Sequence, residues 1–234
     1  MRPILWLLFI SFPLLAQTEF EKGEKLFLSG KYAQAKPVLE SYIKSHAEHL
    51  QALELLGDIH GHLKQWEQAL SYYQKLKTLR PRTAAYHYKT GGVLGMIAKE
   101  SSKFKAFGMI SNIRDSFEKA ISLDPKHIEA RWALIELYLQ LPGIVGGSEK
   151  KANQYANQLM ELSPVDGHLA KGHIAEYFER YAEAEKSYKK AIAAGKSKTS
   201  YEKLANLYKN KMKQPEKAKA LLADYKKNLQ TGNS

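Results

Sequence analysis

The chain has 234 residues, 36 lysines and arginines against 24 aspartates and glutamates, a formal net charge of +12, and no cysteine. The missing thiols exclude disulfides, zinc–thiolate sites and a cysteine nucleophile. The basic balance favours anionic partners such as acidic proteins, lipid headgroups, envelope polymers or nucleic acid. Lysines spread along helices, as at Lys186, Lys189 and Lys190, are equally what a solvated face carries.

The first predicted element begins Met1-Arg2, continues through Ile4-Leu5-Trp6-Leu7-Leu8-Phe9-Ile10 and reaches Leu14-Leu15-Ala16. A cation, a short apolar stretch and a small residue predict a signal peptide over residues 1–16, cut after Ala16, and hence a periplasmic or secreted protein. The alternative is a membrane anchor. A spanning helix needs about 20 apolar residues, whereas this run is shorter, holds Pro13 and soon meets Glu19, Glu21 and Lys22. From Thr18 to Leu229 the pattern predicts almost continuous helix punctuated by Pro81, Pro125 and Pro164, with no alternating strand-like run.

The helices recur at a fixed interval. Gly23, Gly57 and Gly91 are equally spaced, and Ala35 and Ala69 repeat at the same step. That step, about 34 residues, predicts stacked helix-turn-helix units rather than one globular core. The first unit has Gly23 and Gly30-x-Tyr32-x-x-Ala35. The second has Leu56-Gly57, Trp66, Ala69, Tyr73 and Pro81. The third has Gly91 and Leu94, then resumes at Phe117, Ala120 and Pro125. The fourth offers Leu134, Tyr138, Ala152 and Pro164, with bulky Ile135 at the small position. The fifth has Gly172, Tyr181, Ala184, Tyr188 and Ala191, and the sixth Leu204-Ala205, Tyr208, Ala218 and Leu222.

This phased set resembles the tetratricopeptide repeat, in which paired antiparallel helices A and B recur at this same period. The resemblance implies an all-α fold: a right-handed α-solenoid of about six repeats, at about 17–49, 50–83, 84–126, 127–165, 166–197 and 198–230. Small residues would let helices A and B approach, and aromatic residues would fill the space between successive units.

Two segments break the period. About ten residues are added in the third unit, roughly 99–109, where Phe104 and Phe107 alternate with Lys103 and Lys105. One reading is an amphipathic protrusion that touches a partner or membrane. The other is an elongated helix pair with both phenylalanines packed inward, since Phe107, Ile110, Ile113 and Phe117 keep helical spacing. The fourth unit carries Leu141-Pro142-Gly143-Ile144-Val145-Gly146-Gly147-Ser148, similar to loops of bacterial exported tetratricopeptide proteins. Its glycines permit positive φ and Ser148 is placed to cap the next helix. A phosphate-cradling loop would need the missing Gly-Lys-Ser/Thr ending.

No chemistry is expected. Ser148-x-x-Lys151 formally matches the nucleophile motif of penicillin-recognising enzymes, but its Ser-Asp-Asn and Lys-Thr-Gly partners and its sheet are missing. His46 and His49, His60 and His62, and His168 and His173 do not form His-Glu-x-x-His or complete a metal shell. We therefore expect no catalytic residue, no metal and no cofactor.

The family's partners are expected along the face lined by the A helices. Carried over by repeat phase, that face comprises Glu54, Asp58 and His62, then Tyr88 and Met96, then Trp132 and Glu136, then His173 and Tyr177, and finally Asn206. It reads as aromatic and mildly acidic. One subclass grips a C-terminal carboxylate; the matching positions here hold Phe20, Glu24, Leu55, Ala85 and Lys89, of which only Lys89 suits the task. Aromatic anchors suggest an apolar or helical protein segment instead, although Tyr88 and Trp132 can equally pack between repeats. The expected function is a non-enzymatic adaptor of the bacterial envelope. The alternative is a basic module docking on anionic lipid or envelope polymer, and nucleic acid is not expected.

Overall fold

The computed structural model describes residues 12–231, and among these it contains twelve α-helices and no strand. The fold class is the all-α solenoid that the repeat pattern implies. The leader expected over residues 1–16 lies largely outside the described residues; Phe12 to Ala16 belong to the first helix. No helix of the described residues is long and apolar enough to cross a membrane.

The chain divides into two compact units, Met1–Leu123 and Asp124–Ser234. The first holds α1 (Phe12–Leu28), α2 (Tyr32–Ser45), α3 (Leu50–His62), α4 (Trp66–Leu79), α5 (Ala84–Glu100) and α6 (Lys103–Leu123). Each helix packs against the next in sequence, and α1 also touches α3, so the odd-numbered helices lie side by side. Two clusters form its core. Leu39, Leu56 and Ile59 centre one, and Leu53, Tyr73, Leu76 and Ile97 the other.

The second unit holds α7 (Ile128–Gln140), α8 (Glu149–Leu162), α9 (Pro164–Tyr177), α10 (Tyr181–Gly195), α11 (Lys198–Asn206) and α12 (Pro215–Thr231). A π-turn, Leu207–Lys211, extends α11. Tyr188, Leu204 and Leu207 are fully buried at its centre. The last helix packs on one side only: Leu221 rather than Leu222 meets the core, and Leu222 stays partly exposed.

One contact repeats along the chain. A Cβ on Gly57 would stand 2.5 Å from the Tyr73 ring, and one on Gly91 2.8 Å from the Phe117 ring. Gly172 meets the Tyr188 ring, and Gly23 the Leu39 side chain, in the same way. Each of these four A-helix glycines is thus a socket for a large B-helix side chain. One sequence spacing separates socket from occupant in Gly23–Leu39, Gly57–Tyr73 and Gly172–Tyr188, and only Gly91–Phe117 is longer. The third repeat has therefore been lengthened without disturbing the contact at its base.

The turns also keep phase. Gly30, Lys64, Glu179 and Lys213 all have left-handed backbone, with φ of 70°, 57°, 59° and 56°. Only the first is a glycine, so the other three bear the Cβ–carbonyl crowding of that conformation. The caps are local: Ser148, Ser163 and Ser197 accept from backbone N–H groups of α8, α9 and α11. His49 and His127 do the same through Nδ1 for α3 and α7. Pro164 opens α9 at its first position, where its missing N–H costs nothing.

The irregular segment after α7 is a tight closure. Gly146 takes φ 105°, Gly147 leaves no room for a side chain against the Leu141 carbonyl, and Ser148 N–H donates to the Tyr138 carbonyl over 2.9 Å.

Gly57→Ala should destabilise the first unit by about 1–3 kcal/mol, the usual penalty for overpacking, as read by chemical denaturation. Lys64→Gly should stabilise by about 0.5–1 kcal/mol by relieving the left-handed turn.

Candidate functional site

In the first unit the A-helix face is held by an ion cluster. Lys89 on α5 donates to both oxygens of Asp58, over 2.6 and 2.7 Å, and stands 2.9 Å from Glu54. Tyr73 reaches through from α4 and donates its hydroxyl to the same Asp58 carboxylate over 2.6 Å. Burial, followed by the charge of Asp58, pushes that hydroxyl far above the usual tyrosine range, so it stays a donor. Burial works against the Lys89 charge, but the hydrogen bonds and charges of Asp58 and Glu54 outweigh it and raise the pKa.

Two consequences follow for the expected face. Glu54 and Asp58 are each paired with Lys89, so about half of the acidity expected there is offset by a lysine one repeat later. Lys89, the one side chain that suited a carboxylate clamp, already holds two carboxylates of its own chain. His62 is exposed and stacks on Tyr32 with ring centroids 4.0 Å apart. Tyr88 sits 5.9 Å from Phe117 and is half-buried, as is Met96.

In the second unit Trp132 on α7 donates its indole N–H to Asp166 over 3.0 Å, and Ser163 donates to the other oxygen of that carboxylate. Trp132 is half-buried against the core, so it ties one repeat to the next. His173 Nε2 stands 2.5 Å from Glu136 Oε1. Its hydrogen bond holds the Glu136 carboxyl below the usual range despite burial.

Beyond this pair lies an open pocket of about 350 Å³ lined by His173, Glu176, Tyr177, Glu179, Lys203, Asn206 and Lys211. The structure therefore brings His173, Tyr177 and Asn206 together around one depression. Sequence phasing missed Lys203 and Lys211, which lie on the exposed side of α11 and its π-turn. Glu176 is occupied, accepting from the Tyr188 hydroxyl over 2.8 Å. Tyr177 is 47% exposed and meets Phe178 edge-on, making an apolar lip beside two cations. Such a pocket can take a segment that offers an apolar side chain and an acidic or amide group.

Nothing catalytic assembles around the serine–lysine pair. Ser148 Oγ accepts from the Lys151 backbone N–H, while the Lys151 ammonium lies 5.1 Å from the centre of the Tyr138 ring. Among the described residues no group of three or more His, Cys, Asp or Glu side chains is placed to hold a metal ion.

Comparison with known proteins gives these features a family context. Tetratricopeptide repeat models match residues 20–91 and residues 165–194. No curated protein sequence matches the chain. Among solved structures, a thermophilic tetratricopeptide protein of Thermus thermophilus is similar with a TM-score of 0.64 and 17% identity, over 82% of this chain and 98% of its own. PilW, a widely conserved type IV pilus biogenesis factor, has a TM-score of 0.64 and 14% identity over 92% and 94% of the two chains. YrrB, a repeat protein with an unusual peptide-binding site, has a TM-score of 0.53 and 15% identity over 78% and 87%. At these identities the likeness is one of fold.

Lys89→Met leaves Glu54 and Asp58 facing each other without a cation and should cost about 1–3 kcal/mol. Because the folded pKa of Lys89 is raised, its contribution is complete below the unfolded lysine value. The wild-type advantage in urea melts should therefore hold through neutral pH and fade only as pH rises through the folded pKa.

Proposed function

The chain is a tetratricopeptide repeat protein, and from that premise we propose that it is a non-enzymatic adaptor of the bacterial envelope. It captures a segment of a protein partner on the A-helix face of its second unit. The observation that carries this reading is the pocket between α9 and α11, where exposed Tyr177 stands beside Lys203, Asn206 and Lys211. Tyr177 offers a large apolar contact at low conformational cost, and the lysines orient an acidic or amide-bearing segment. Trp132 and Glu136 do not line the pocket but contact His173, which does, so they position its wall more than they touch its occupant.

Export is supported by the leader-like segment Met1–Ala16. A second reading, docking of the basic chain on an anionic envelope surface, is supported by its net charge of +12.

Affinity capture from the native envelope should recover a partner with the wild type and at least about fivefold less with Tyr177→Ala/Lys203→Glu, as expected for loss of an aromatic anchor and a charge. Both positions are exposed, so circular dichroism should be unchanged. Equal recovery by the two proteins removes the pocket from the interface.

A further inference from the structure

The hairpin of α5 and α6 is longer than its neighbour in the first unit. These helices have 17 and 21 residues, whereas α3 and α4 have 13 and 14. The Gly91–Phe117 contact holds the base of the hairpin, as Gly57–Tyr73 holds the base of the preceding one. The added residues therefore lengthen the arms by about five residues each, or about 7 Å at the helical rise.

The apolar stripe of α6 does not stop where the packing stops. Phe117 and Ile113 are 5% and 3% exposed, Ile110 is half-buried, Phe107 is 46% exposed and Phe104 is 91% exposed. At the helical turn angle Phe107 stands about 80° round from Phe117 and Phe104 about 140°, so the apolar residues wind away from the core side as they approach the tip. The inward packing expected of both phenylalanines is not what the structure shows: Phe104 has turned away from the core side and Phe107 is only half-covered.

The surroundings are basic. Lys103 and Lys105 flank Phe104 in sequence, and Lys99 lies in the last turn of α5 across the connection. The antiparallel helices bring the α1–α2 and α3–α4 turns to the same end of this unit. That end adds exposed Lys25, Lys31 and Lys64, as well as Leu28 at 76% exposure. Glu100 is the one acidic residue within residues 25–31, 62–66 and 99–107.

We propose that this end of the first unit docks on an anionic bilayer, with Phe104 inserted among the headgroups and the lysines around it neutralising lipid charge. The inference rests on the second reading above and adds the residues that make the contact. A phenylalanine 91% exposed on a projecting tip suits a fluid surface that closes around it from every side. A protein partner would have to supply a matching pocket. Long lysine stems keep their charges at headgroup level while the ring goes deeper.

Sedimentation with vesicles of equal parts phosphatidylglycerol and phosphatidylcholine tests this. The wild type should bind at low ionic strength, weaken with added salt, and ignore pure phosphatidylcholine. Phe104→Ser should lower the partition coefficient at least about tenfold, the loss expected for one buried phenylalanine. Lys99→Gln/Lys103→Gln/Lys105→Gln should lower it by about fivefold per lysine removed. Phe104→Trp should keep binding and gain a blue-shifted emission on vesicles that the wild type lacks, which a misfolded variant cannot mimic. Wild-type protein that stays in solution even at low salt overturns both this inference and the second reading. Vesicle binding that is unchanged in Phe104→Ser overturns the tip alone, and loss of a captured protein in that variant then assigns the tip to a protein partner.

Discussion

Four of the six helix pairs depend on a void on one helix filled by a large side chain from the next. Gly57 and Gly172 are sockets for Tyr73 and Tyr188, and a side chain at either glycine would collide with the ring. The contact sets how closely the paired helices approach. It also threads the tyrosine hydroxyl through to the A-helix face, where Asp58 receives one and Glu176 the other. Packing in the core thus fixes which carboxylates on the binding face are already engaged.

That coupling explains why the face is not the acidic surface its residue types suggest. Asp58 accepts from a tyrosine beneath it and a lysine beside it, and Glu136 is matched by His173. Charges that the stack itself requires hold successive helices together. The side chains left over for a partner are those beyond the network: Tyr177, Lys203, Asn206 and Lys211 in the second unit.

The period, the glycine sockets and the Ser148 cap were legible because each depends on residues close in sequence or repeated at a fixed step. The Lys89 cluster was not, since Lys89 lies a full repeat beyond Glu54 and Asp58 and pairs with them only once helix register is known. Nor was the role of Lys211, because the π-turn after α11 places it on the pocket while the repeat phase assumes an uninterrupted α-helix. His49 and His127 illustrate a different limit. A histidine that caps a helix through Nδ1 takes a position usually given to serine or aspartate, so residue type gives no signal of the cap.

The α5–α6 hairpin and the loop after α7 both break the period, but for different physical reasons. Inside the loop every irregularity has an internal explanation: a left-handed Gly146, a crowded Gly147 and a cap from Ser148 leave the chain closed on itself. Ile144, 95% exposed at its crest, is a single apolar residue of the kind surfaces commonly tolerate. In the hairpin the stability of the unit is already secured at Gly91–Phe117. Nothing in the packing below calls for longer arms that end in an uncovered phenylalanine between lysines. Ile97 and Met109 tie the longer arms to the core, but the end beyond them, with apolar and cationic groups uncovered, is what distinguishes a docking element from a structural one.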